Sequence, residues 1–89
     1  MLISIEISMY PLTGEFIPPI DTFLEKLHRT EDLKVQTNNM STQVFGDSTR
    51  VFSSIEKLIS ETYESLDQCP FVIKVLKGDV SEKDEPSYK

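Results

Sequence analysis

From Leu2 to Tyr10, Ile3, Ile5, Ile7 and Met9 alternate with Ser4, Glu6 and Ser8. An apolar period of two is the signature of a β-strand with two unlike faces, so this segment is committed to a sheet with Ile on one side and polar groups on the other. Pro11-Leu12-Thr13-Gly14 breaks the strand, and the period then changes. Pro18-Pro19 suits the first turn of a helix, where the missing N–H costs nothing. Ile20, Phe23, Leu24 and Leu27 follow at helical spacing, forming one stripe that ends at His28-Arg29, where cations suit the negative end of the helix dipole.

The same two periods recur once more. Leu33 to Thr37 reads as a short strand, Asn38-Asn39 as a turn and Met40 to Phe45 as the returning strand of a hairpin. Gly46 closes it, and Asp47 or Ser48 caps a second helix carrying Val51, Phe52, Ile55, Leu58, Ile59, Thr62 and Leu66 at helical spacing. Pro70 stops that helix, and Phe71 to Leu76 is a last strand bounded by Gly78. The order β-α-β-β-α-β predicts an α+β ferredoxin-like sandwich, with two helices on one face of a four-stranded antiparallel sheet. Its other face is left open, with Ser4, Glu6 and Ser8 directed to it by the alternation. An uncovered, partly polar sheet face is a place for a subunit contact or a ligand. Residues 1–78 form the single expected domain, and residues 79–89, charged and almost without apolar groups, read as a disordered acidic tail.

A chain of 89 residues buries roughly 60–65% of the surface its unfolded form exposes, so self-association would add to a thin core. The net charge of −6, with nine scattered Lys and Arg, argues against nucleic acid. One cysteine, Cys69, without a Cys or His neighbour at ligand spacing, fits a reducing compartment and a cytoplasmic setting and suggests no metal site. The first residues lack a basic stretch and carry Glu6 within the apolar run, and no run reaches the ~18 residues of a membrane span, so neither a signal peptide nor a membrane anchor is expected.

No phosphate loop and no Ser, His and Asp arrangement can be read from spacing. His28 is accounted for by the helix dipole, and Cys69 reads as an inert packed thiol, so no catalytic residue is assigned and a noncatalytic protein is expected. Glu6 stands out: an acid amid apolar residues is exposed, ion-paired, or faces a cationic or amino-bearing ligand. Between Asn38 and Phe45, the polar Asn39, Ser41, Thr42 and Gln43 lie beside Met40 and Phe45. That mixture suits a flat heteroaromatic ligand and equally an ordinary hairpin.

Two segments, Ile5-Glu6-Ile7-Ser8-Met9-Tyr10-Pro11-Leu12 and Asn39-Met40-Ser41-Thr42-Gln43-Val44-Phe45-Gly46-Asp47, resemble the thiamine-binding-protein-like family of YkoF-type domains. The likeness spans about residues 1–78. It implies a ferredoxin-like fold, homodimers or homotetramers, and binding of thiamine or its hydroxymethylpyrimidine moiety, with no further cofactor. Carried over by position, it implies a ligand pocket of Ser8, Tyr10, Met40, Ser41, Thr42 and Phe45, with Glu6 beside them. Hydroxyls and the acid would bond the aminopyrimidine edge, and Met40 and Phe45 would pack its faces. The expected role is a carrier or sensor; the alternative is an oligomeric structural or regulatory module without a specific small ligand.

Overall fold

A computed structural model describes residues 1–12 and 17–81. The elements are β1 (Leu2–Met9), α1 (Ile17–His28), β2 (Lys34–Thr37), β3 (Thr42–Asp47), α2 (Ser48–Ser65) and β4 (Phe71–Lys77), in the expected order. They form one antiparallel sheet ordered β2-β3-β1-β4, with both helices on one side, the ferredoxin-like α+β fold.

Register fixes which side chains share a face. Ile5 lies opposite Val44 and Val75, and Ile7 opposite Thr42 and Ile73. The β1 and β3 members of this set face the helices, and Ile3, Ile5, Ile7 and Val44 join Phe23 and Leu27 of α1 and Val51, Ile55 and Leu58 of α2 in the core. Asp47 caps α2 by accepting the Thr49 N–H at 3.2 Å, satisfying a donor the helix cannot pair itself. The cover is uneven across the sheet. At β4 it reaches Phe71, whose ring packs with Phe23 at 5.3 Å and Tyr63 at 6.1 Å, whereas Ile73 and Val75 remain exposed.

On the opposite face Ser4 lies beside Phe45 and Leu76, and Glu6 beside Gln43 and Lys74. The sequence implies that this face is open; the structure closes one end of it. After β4 the chain turns at Gly78, whose φ of +84° lies in the left-handed region that glycine adopts without strain. The Ser4 hydroxyl then donates to the Gly78 carbonyl at 2.7 Å and accepts the Val80 N–H at 3.0 Å, and Lys34 on β2 donates to the Ser81 hydroxyl at 3.2 Å. Residues 78–81 thus cross from β4 toward β2, which is why Ser4 and Phe45 are only 3% and 5% exposed. The remainder of the acidic tail, 82–89, lies outside the described residues, as do the breaker residues Thr13 and Gly14.

β2 and β4 shift by one residue at one end, to Lys34–Thr37 and Phe71–Lys77, and β3 shifts at both ends. β3 begins at Thr42 rather than Met40, and runs through Gly46 to Asp47. Asn38 explains the later start of β3: its side-chain oxygen accepts the N–H of both Met40 and Ser41, at 2.8 and 3.0 Å, and its own N–H donates to the Ser41 carbonyl. Those bonds hold Met40 and Ser41 in the turn. Gly46 stays in the strand through its pairing with Ile3, and a Cβ there would meet Leu33 Cδ2 at 2.9 Å, so its absence admits Leu33 beside the sheet.

Candidate ligand site

The β2–β3 hairpin and the end of β1 meet at one corner of the sheet. Thr37 and Thr42 are cross-strand partners on the helix side, and Ile7 lies next to Thr42 on β1. α1 brings Ile20, Phe23 and Leu24 over the same corner, while Tyr10 and the hairpin tip close its outer side. A hollow of about 250 Å³ results. Its apolar lining comes from Ile20, Phe23 and Leu24, and hydrogen-bonding groups come from Ser8, Thr37, Asn38, Asn39, Ser41 and Thr42. Small sites with an apolar body and a few convergent polar groups suit compact ring ligands.

Thr42 is the most enclosed of these polar groups, at 4% exposure. Its hydroxyl lies 3.0 Å from the Thr37 hydroxyl, which in turn is 2.8 Å from His28 Nε2. An exposed imidazole at the end of α1 is thereby linked to a buried hydroxyl at the hollow. Nothing in the spacing of the sequence marks this contact, because it depends on α1 returning over β2.

The seven sequence-derived candidates do not gather in one place. Ser8, Tyr10, Met40, Ser41 and Thr42 line the corner hollow. Glu6 and Phe45 instead line a second hollow of about 250 Å³ on the open face, with Lys74, Leu76, Gln43 and Val80. Ser41 connects the two: its hydroxyl donates to Glu6 Oε2 at 2.9 Å and accepts from Gln43 Nε2 at 2.7 Å. Glu6 Oε1 lies 3.6 Å from Lys74 Nζ, so the carboxylate that stands out in strand one has a cation directly across the sheet. Met40 is 91% exposed at the hairpin tip, placed at the rim rather than the floor.

Cys69 is fully buried, and the Tyr63 hydroxyl donates to its carbonyl at 2.6 Å. Burial pushes its thiol pKa up, away from the thiolate that nucleophilic or metal-binding chemistry uses. Among the described residues no three His, Cys, Asp or Glu side chains are placed to hold a metal ion, and no helix is long and apolar enough to cross a membrane.

The fold recurs in solved structures. A protein from Streptococcus pneumoniae superposes with a TM-score of 0.81 at 19% identity, covering 94% of each chain. A hypothetical protein from Methanocaldococcus jannascii gives 0.75 at 22% identity, covering 91% of this chain and 84% of its own. A third structure, of a Thermotoga maritima protein named for a proposed part in thiamine biosynthesis or salvage, gives 0.76 at 14% identity, covering 84% of this chain and 82% of its own. No curated protein matches the sequence at a significant level. The sequence pattern of the YkoF-related family, however, matches residues 3–81, a stretch that takes in all six elements apart from Leu2, both hollows and the strap of residues 78–81 over Ser4. The chain belongs to the YkoF-related family.

Proposed function

We propose that this chain is a noncatalytic binding protein for thiamine or its hydroxymethylpyrimidine moiety, a carrier or sensor that works as a homo-oligomer. The observation that carries this reading is the corner hollow, where the Thr42 and Thr37 hydroxyls converge beside Phe23 and Leu24. An aminopyrimidine needs apolar contact for its ring and hydroxyls or amides for its edge, and this corner offers both. Membership of the YkoF-related family, and the fold shared with the Thermotoga maritima structure, support the choice of ligand.

Self-association is supported by β4. This edge strand exposes Val72 and Leu76 on one face and Ile73 and Val75 on the other. A protein edge strand is normally blunted by charge or covered, and an apolar one invites pairing. The same observation favours the second reading, an assembly module whose exposed sheet is used by subunit contacts alone.

Calorimetric titration with thiamine and with hydroxymethylpyrimidine, with the mass of the same sample recorded, separates the two. Saturable heat at about one ligand per chain, with affinity weakened about tenfold in Thr42→Val, supports the binding reading. An oligomer that gives no heat with either compound leaves the assembly module.

A further inference from the structure

We propose that His28 is a positioning residue for the corner hollow, acting through Thr37 to decide whether Thr42 offers a ligand a hydrogen-bond donor or an acceptor. The inference rests on the pyrimidine reading above, and its geometry is the chain His28 Nε2, Thr37 Oγ1, Thr42 Oγ1, with separations of 2.8 and 3.0 Å. Thr37 and Thr42 both line the hollow, and His28 is exposed at the end of α1.

Each hydroxyl has one proton to give, and that constraint propagates along the chain. Where His28 Nε2 carries a proton, it donates to Thr37. Thr37 then donates to Thr42, and the Thr42 proton is free to point into the hollow. Where Nε2 is bare, Thr37 donates to it instead. Thr42 then donates to Thr37, and only its lone pairs face the ligand. Thr42 is almost wholly enclosed, so water offers it little alternative partner and the polarity it presents is set from behind.

The ligand feature being read is a pyrimidine edge. A 4-amino group donates, whereas the 4-oxo group that replaces it accepts and the adjacent ring nitrogen gains a proton. Thr42 as acceptor therefore favours the amino compound, and Thr42 as donor favours the oxo compound. A site that presents the wrong partner leaves an enclosed polar group unpaired, which is the larger part of such discrimination.

The test uses two probes, 4-amino-5-hydroxymethyl-2-methylpyrimidine and its 4-oxo analogue, titrated into the full chain at a pH above the range in which the aminopyrimidine ring protonates and below that in which the oxo ring N–H ionises, so that both are uncharged. His28→Glu places an acceptor without a proton behind Thr37, and His28→Lys places a donor without a lone pair there. The amino-to-oxo affinity ratio is expected to rise about threefold or more in His28→Glu and to fall by a similar factor in His28→Lys. A second substitution, Thr37→Val, cuts the chain and is expected to level the two variants. A loss of stability alone, or a change of local charge, moves both uncharged probes together and leaves the ratio unchanged. Equal ratios in wild type, His28→Glu and His28→Lys overturn the inference while binding itself stands. A difference that persists with Thr37→Val overturns it also, since Thr37 would not be the link. Wild-type protein that binds neither probe overturns the pyrimidine reading and this inference with it.

Discussion

The two faces of β1 use adjacent residues for opposite purposes. Ile3, Ile5 and Ile7 enter one core shared with both helices, while Ser4, Glu6 and Ser8 each find a different setting. Ser4 is sealed beneath residues 78–81, Glu6 is held between Lys74 and Ser41, and Ser8 lines the corner hollow. Apolar residues on one face need only a common interior, because burial is non-directional. Polar residues on the other need individual partners, so neighbours two positions apart can belong to a strap, an ion pair and a hollow.

That contrast can be broken most forcefully from the apolar side. Ile5→Ala, at a position only 2% exposed, is expected to lower unfolding free energy by about 2–5 kcal/mol, measured by chemical denaturation. A chain this small has little stability to spare, so that loss alone would leave a substantial unfolded population. A value under about 1 kcal/mol would mean that the core can collapse around the gap and that the two faces differ less than their packing suggests.

Among the polar side chains the effects shrink from Ser4 and Thr42, which are enclosed, to Glu6, which is partly exposed. Ser4→Ala removes the acceptor for the Val80 N–H and the donor to the Gly78 carbonyl, and is expected to cost about 1–2 kcal/mol. Amide exchange at Val80 should quicken at the same time, because the strap would lose its anchor to β1. Thr42→Val keeps the side-chain shape and is expected to weaken hydroxymethylpyrimidine binding about tenfold in calorimetry, equivalent to about 1.4 kcal/mol. Glu6→Gln retains an acceptor for Ser41 and loses only a partly exposed ion pair with Lys74. Its effect on stability should stay within about 0.5 kcal/mol, and ligand affinity should be nearly unchanged if the ligand sits in the corner hollow.

Much of this arrangement is legible in the sequence, and the part that is not follows from identifiable causes. Alternation in β1 and the helical stripes of α1 and α2 carry the fold, since each is a local period tied to one buried face. The same period of two separates Thr42 from Phe45, which are three apart on β3 and therefore point to opposite sides of the sheet. A resemblance that transfers both to one pocket ignores that parity, and the structure divides them between two hollows. Met40 lies in the turn because Asn38 holds two N–H groups, a contact decided by turn chemistry rather than by strand propensity. The link from His28 to Thr37 and the strap from Ser4 to Val80 join elements that only the completed fold brings together, the second across 76 positions.

The central claim, that the corner between β1, α1 and the β2–β3 hairpin is where the ligand sits, is tested most directly by amide chemical-shift mapping with hydroxymethylpyrimidine. The account predicts saturable shifts centred on Ser8, Tyr10 and Thr37 to Thr42, with the amides of Lys74 and Leu76 unmoved. Shifts confined to Glu6, Gln43, Phe45 and Lys74 would place the ligand on the open face and contradict it, as would a spectrum that does not change at all.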